Sequence, residues 1–553
     1  MSVHFPENGK ITVENRFILC YAMKIERRSI NMDHETPSAN TLSLGTEKLL
    51  DRILYWFRVY KCPALASLIV GFLAHMFAFA NKLVNHDELS ALFKKGATTV
   101  SGRWGLELLS HVLPNYSMPW LYGVMSIVLI TVAVCFIIHM FGIKNKVLQA
   151  VTAGLVISFP SLTGTFSYMF TSSSYAVSFL LAVLAAFFAS RKRWVMYLPA
   201  VVCTVLSVSI YQSYIAITAS LLVLVLIQQT LQETEDVKKI FVRGVGFVLI
   251  LGASLGIYWA ITQWIYACTE TELGAYASRQ LSFGYESPVK ILGKIYGFFW
   301  AFFRYGTQGL ITSKLSRCIH FGCMLLVGIE IVCWAVHNKK AGRIALLLFL
   351  ILILPMSINC MYIFTAWSSV HTLVLYSFIA IYILTAIVID NGCLVALKPV
   401  LVNKCRRLSF DIIVVCMCAV ICINTFIANE AYLNMYLRYE NSYSFCTALI
   451  ADIQMTPGYT SETRVALLGT YEDPSFYENF DNLDSITGVA GVSPNVWSKW
   501  YLFEYYCGYR INFAYDWQIE EVVQTEEYAQ MSTYPDNGSI QMIGDVLVVK
   551  LSE

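Results

Sequence analysis

The chain has 553 residues, 57% of them hydrophobic and only 14% charged, with a formal net charge of +2 and a mean hydropathy of +0.58. Soluble globular proteins carry about 25% charged residues, so a string of soluble domains is excluded, and the near-neutral balance gives no reason to expect a nucleic-acid partner. The apolar residues fall instead in repeated runs of about 20, the length a helix needs to cross roughly 30 Å of hydrocarbon.

In chain order, residues 1–46 are mixed and polar, without a sustained period. The stretch EKLLDRILYWFRVYK that follows Thr46 places apolar residues at helical spacing with basic residues between them. That pattern predicts a helix lying on the membrane surface, and residues 1–62 are expected to form a cytoplasmic N-terminal segment with no cleavable signal peptide. Eleven crossings follow, near 63–81, 119–141, 147–166, 172–190, 195–210, 214–230, 245–266, 317–336, 344–361, 368–389 and 410–428. Alternate loops hold Lys144 and Lys146, Arg191 to Arg193, Lys238, Lys239 and Arg243, Lys339, Lys340 and Arg343, then Lys398, Lys404, Arg406 and Arg407. The short turns at 167–171, 211–213 and 362–367 carry no Lys or Arg. The excess of positive charge marks the first set as cytoplasmic, with the N-terminus inside.

Residues 293–312 are apolar enough to suggest a further crossing, but counting it would move Arg406 and Arg407 outside, so the segment is expected to be re-entrant or interfacial. The transmembrane domain is therefore 63–429, with outer loops at 82–118 and 267–316. An extracytoplasmic cap follows at 430–553. In the cap, RVALLG from Arg464 reads as a buried strand, Asn495–Tyr506 as a helix, and SIQMIGDVLVVKL as a hairpin turning at Gly544-Asp545. The expected fold is an all-α polytopic membrane protein with a small α/β domain at its C-terminal end. None of the sixteen cysteines has metal-ligand spacing; Cys446 and Cys507, in the cap, are a candidate disulfide.

The chemistry-bearing residues concentrate on the outer side. Asn85-His86-Asp87-Glu88 follows the first crossing. Carboxylates there must face water, a cation or a substrate, and burial would raise their pKa toward that of a general base; the other reading is that they cap the next helix. Arg103, in Ser101-Gly102-Arg103-Trp104, is suited to holding a phosphate by paired hydrogen bonds or to snorkelling beside headgroups. Tyr211 and Gln212 occupy a very short outer turn, where they could contact sugar hydroxyls or satisfy freed backbone groups. Arg279 and Arg304 are further outer cations, with Lys94, Lys95, Lys290 and Lys294 behind them.

The acidic pair after the first helix, the G-R-W segment, FPSLTGTFSYMFTSSSYA at 159–176, SIYQSY at 209–214 and the ending YPDNGSIQMIGDVLVVKL together resemble the membrane-embedded glucosyltransferases of the phage serotype-conversion type (the Gtr type II family). The resemblance implies a GT-C-like enzyme of the bacterial inner membrane. Such an enzyme moves a sugar, glucose in this family, from a polyprenyl-phosphate carrier to an extracytoplasmic envelope glycan such as O-antigen. Asp87 is then the expected base and Glu88 the residue that orients the acceptor. Arg103, Tyr211, Gln212, Arg279 and Arg304 are the expected substrate-binding residues. A separate donor synthase and flippase are expected partners. No cofactor or obligatory metal is expected, although Asp87 and Glu88 could bind a divalent ion. There is no Walker A loop, no HExxH and no Asp-x-Asp nucleotide-sugar site. The competing readings are a lipid-linked oligosaccharide flippase or transporter, a polysaccharide polymerase or ligase, and a structural membrane subunit. Internal repeats and midplane charges would mark a transporter, and only Glu330 lies inside a crossing.

Overall fold

A computed structural model describes residues 40–91, 99–271, 274, 286–304, 314–338, 340–364, 371–391, 399–471, 483, 486–492, 494 and 498–552. The chain divides into two compact units, Met1–Tyr60 and Lys61–Glu553. In the first, the described part is one helix, α1 (Asn40–Val59), which holds the amphipathic stretch up to Val59 and begins several residues before it. Trp56 and Tyr60, four apart at its end, bring their rings to 4.9 Å.

The second unit is built from helices. In chain order they are α2 (Lys61–Ala80), α3 (Trp104–Ser110), α4 (Pro119–Phe141), α5 (Lys146–Ile157), α6 (Pro160–Ser167), α7 (Met169–Ala189) and α8 (Tyr197–Ile210). After these come α9 (Ile215–Leu231), α10 (Val237–Thr269), α11 (Pro288–Arg304), α12 (Lys314–Asn338), α13 (Ala341–Ile358), α14 (Ile379–Asn391), α15 (Pro399–Met455) and α16 (Asp516–Val523). Among the described residues, ten helical stretches are long and apolar enough to cross a membrane, and Trp194–Ile210 is a shorter apolar one. Each coincides with one of the crossings read from the sequence, and the chain is a multi-pass helical membrane protein. α5 and α6 make one such stretch, interrupted at Phe159, where Pro160 restarts the helix at its first position. α11 is strongly amphipathic and, at 17 residues, is not among the ten; residues 305–313 of that segment lie outside the described residues.

Burial orders the bundle. The stretch Thr372–Asp390 is 94% buried and Lys146–Ser167 is 89% buried, whereas Val237–Thr269 and Lys314–Asn338 are each 22% buried. The first two form the centre and the others the wall open to lipid. The basic loops share one end. Lys192 pairs with Glu235 at 2.5 Å, Lys340 with Glu233 at 2.5 Å, and Arg343 Nη2 donates to the Glu235 carbonyl at 2.7 Å. The Asp390 carboxylate accepts from the backbone N–H of Lys144 and Asn145. The loops carrying Asp87, Arg103 and Gln212 lie at the other end.

The cap is not joined by a linker. The boundary expected near 430 falls inside α15, one helix from Pro399 to Met455. A three-stranded sheet follows, of β1 (Arg464–Leu468), β2 (Ile540–Ile543) and β3 (Val546–Lys550), in the order β1-β3-β2. β2 and β3 form the expected hairpin, antiparallel across Gly544-Asp545, with Gly544 at φ 58°. β1 pairs parallel to β3, Arg464 opposite Val546, which makes the wholly buried β3 the central strand. Where a helix was expected over Asn495–Tyr506, helical turns run from Lys499 to Tyr506, and residues 495–497 lie outside the described residues. The cap core gathers Cys446, Leu449 and Ile453 from α15, Phe503, Phe513, Leu547 and Val549 from the cap, and Val84 and Leu89 from the loop after α2. Cys446 and Cys507 meet in this core as free thiols.

Candidate active site

The acidic loop is shaped by Asn85. Its side-chain oxygen accepts from the backbone N–H of Asp87 and of Glu88, both at 3.0 Å, and its amide donates to the Ser167 carbonyl at the end of α6. This is the Asx cap of a short helical turn, Glu88–Ala91, and it sends the two carboxylates opposite ways. Asp87 is 59% exposed at its side chain, with His86 Nε2 3.6 Å away. Glu88 is 2% exposed and faces the cap. Burial pushes its carboxyl up to about 7, against the opposing influence of the Ser117 hydroxyl, the Lys82 charge and the Asn85 backbone. Lys82 Nζ lies 4.2 Å over the ring of Tyr506. Among the described residues, neither Glu88 Oε2 nor the Tyr506 hydroxyl finds a hydrogen-bond partner.

A second cluster forms around Arg103. Its Nε donates to Gln212 Oε1 at 3.3 Å and its Nη1 to the Tyr175 hydroxyl at 3.2 Å. The guanidinium sits 5.4 Å over the Tyr211 ring, and Tyr211 stacks on Tyr175 at 4.3 Å. Gln212 is fixed in turn: its Nε2 donates to the Ser101 carbonyl at 2.8 Å and to the Tyr258 hydroxyl at 3.3 Å. Tyr258 donates to the Gly102 carbonyl at 2.9 Å. Gly102 has φ +74°, and a Cβ there would stand 2.6 Å from that same hydroxyl. The guanidinium is thus oriented by side chains from α7, the α8–α9 turn and α10.

Residues from three segments tie the two clusters. His86 meets the Tyr168 ring at 6.3 Å. Ser167 Oγ donates to the Thr487 carbonyl at 2.9 Å, and the Thr372 N–H donates to Thr487 Oγ1 at 3.1 Å. His371, next in line, has its imidazole pKa lowered first by burial and then by the Arg103 charge. The outer loops also touch, through the Gly274 N–H and the Val100 carbonyl at 2.9 Å.

The family model described as "Glucosyl transferase GtrII" matches residues 76–384, more than half of the chain. The chain belongs to the GtrII glucosyl transferase family. It is a glycosyltransferase. No curated protein and no solved structure matches it.

The GtrII match spans the acidic loop, the Arg103 cluster and α11, and ends before α15 and the cap. Of the residues expected at the site of this GtrII enzyme, Arg103, Tyr211 and Gln212 come together. Asp87 and Glu88 share a loop but differ in exposure, Asp87 being open and Glu88 buried. Arg304 ends α11 among other neighbours, Lys314 and Arg317. Lys294 pairs with Glu286 at 2.6 Å. Arg279, Lys94 and Lys95 lie outside the described residues. Sequence reasoning missed Tyr175, Tyr258, His371 and Tyr506. Tyr175 stands in the quoted SSSYA segment, whereas a single tyrosine in an apolar run, as Tyr258 is, carries no signal of its own.

Proposed function

We propose that this enzyme transfers glucose from a polyprenyl-phosphate carrier to an envelope glycan on the extracytoplasmic side, with inversion at the anomeric carbon. The observation that carries the reading is the pairing, at one end of the bundle, of an exposed carboxylate with an arginine aimed by two neutral side chains. A glycan hydroxyl is a weak nucleophile near neutral pH, so a carboxylate must take its proton as the oxygen bonds to the anomeric carbon. Asp87, its side chain open to water, serves as that base. The bond from the anomeric carbon to the phosphate oxygen breaks on the opposite face, and the electron pair leaves with the polyprenyl phosphate. A phosphate leaving group gains negative charge and needs cations rather than an acid. Arg103 supplies that charge, and Tyr175 and Gln212 hold its fork in place, so little reorganisation remains to be done in the transition state. Glu88 holds the loop against the cap and thereby sets the Asp87 carboxylate. Membership in a glucosyl transferase family favours this reading over the flippase and polymerase readings.

The test uses purified full-length protein in nanodiscs with polyprenyl-phosphate glucose and envelope glycan, reading glucose transfer by mass spectrometry. Transfer by the parent and its loss in an equally stable Asp87→Asn supports the assignment. Transfer that persists in Asp87→Asn but vanishes in Glu88→Gln moves the base to Glu88. No transfer from any polyprenyl-phosphate sugar overturns the donor assignment.

A further inference from the structure

α11 and α12 enclose a cavity of about 770 Å³ whose lining includes Trp300, Phe303, Arg304, Lys314, Arg317 and Phe321. Its walls are aromatic and open: Trp300 is 61% and Phe321 57% exposed, and α12 belongs to the least buried wall of the bundle. Its rim is cationic. Arg304 closes α11, while Lys314 and Arg317 stand in the first turn of α12, which holds no acidic residue. A helix N-terminus is already the positive end of the helix dipole, so cations there are disfavoured unless an anion joins them. No carboxylate among the described residues pairs with Lys314 or Arg317, although Lys294 on the neighbouring helix has Glu286. Arg317 donates one N–H to the Arg304 carbonyl at 3.2 Å, which holds the two helix ends together and leaves the rest of its fork at the rim.

The positive charge of Lys314 and Arg317, set beside Arg304 and open aromatic surface, calls for an occupant that is anionic at one end and hydrocarbon at the other. We propose that this crevice binds one anionic glycerophospholipid of the surrounding leaflet. Its phosphodiester lies on Arg304, Lys314 and Arg317, and an acyl chain lies along Trp300, Phe303 and Phe321. Basic pockets between membrane helices take such headgroups, and clustered cations gain more from a net negative lipid than from a zwitterionic one. The leaflet lipid is favoured over the sugar carrier because the cavity opens on the lipid-facing wall, where ordinary phospholipid is most abundant. The inference does not depend on the catalytic reading.

The test reconstitutes the full chain with equimolar phosphatidylglycerol and phosphatidylcholine and counts retained lipids by native mass spectrometry. The parent is expected to keep one phosphatidylglycerol that the Arg304→Gln/Lys314→Gln/Arg317→Gln variant does not, with affinity lower on the order of 100-fold, each cation contributing about a factor of five. Should the triple variant fold poorly, bromine-labelled lipids replace it. Labelled phosphatidylglycerol then quenches the parent's fluorescence more than that of Trp300→Phe, while labelled phosphatidylcholine quenches both alike. Equal phosphatidylglycerol retention at equal melting temperature, or equal competition by phosphatidylcholine, overturns the proposal. Displacement by equimolar polyprenyl phosphate overturns it as well and assigns the crevice to the carrier.

Discussion

Asp87 and Glu88 are adjacent in the chain, yet one faces water and the other the cap. A buried carboxyl raised from 4.5 to about 7 binds its proton more tightly folded than unfolded, so Glu88 favours the folded state fully below its unfolded pKa. That contribution is lost as pH rises through about 7, roughly 3 kcal/mol in all. We therefore expect the parent's melting temperature to fall as pH rises from 4.5 to about 7, and that fall to be shallower in Glu88→Gln; parallel curves would show that Glu88 is not so raised. Arg103 makes its contacts through a planar fork and a stacked face, neither of which lysine reproduces. Arg103→Lys should cut glucose transfer by about 10- to 100-fold, the worth of one or two charged hydrogen bonds, with an unchanged melting curve. These five residues, Asp87, Glu88, Arg103, Tyr211 and Gln212, were legible because polar groups at the ends of apolar runs must face something. Tyr175 and Tyr258 were not, since their partners come from segments 72 and 156 residues away, and no local pattern encodes that.

At the scale of elements, α3 is held by a close approach. A Cβ on Gly105 would stand 2.0 Å from Ser209 Oγ and 3.0 Å from the Ser209 backbone on α8, so only glycine lets the two helices meet. Gly105→Ala should destabilise the fold by about 1–3 kcal/mol, read as a lower melting temperature, and should displace Arg103, which directly precedes α3. The crossings themselves were readable from length and hydropathy because hydrocarbon imposes one period and one length on every spanning helix. The cap was read less fully. The hairpin announces itself by alternation and a glycine turn, but β1 reaches β3 across 81 intervening residues, counted from Arg464 to its partner Val546, and parallel pairing of that separation leaves no local mark.

For the whole molecule, the charge bias predicts that the basic end faces the cytoplasm. In a cysteine-free background, Arg193→Cys should react with a membrane-impermeant maleimide only after cells are opened. Asp536→Cys, in the cap, should react in spheroplasts without further permeabilisation; the reverse pattern would invert the topology. The cap's attachment sets a stricter condition. α15 passes from the bilayer into the cap without a break, and at 1.5 Å per residue its 57 residues extend about 85 Å. A helix of this kind couples its two ends like a screw. One residue inserted between Asn429 and Tyr439 would advance the cap by about 1.5 Å and turn it by about 100°, carrying the pocket for Val84, Leu89 and Glu88 away from the loop that fills it. Transfer of a cap between relatives would therefore succeed only when the splice preserves helical phase, because the cap's angular position is fixed by residue count.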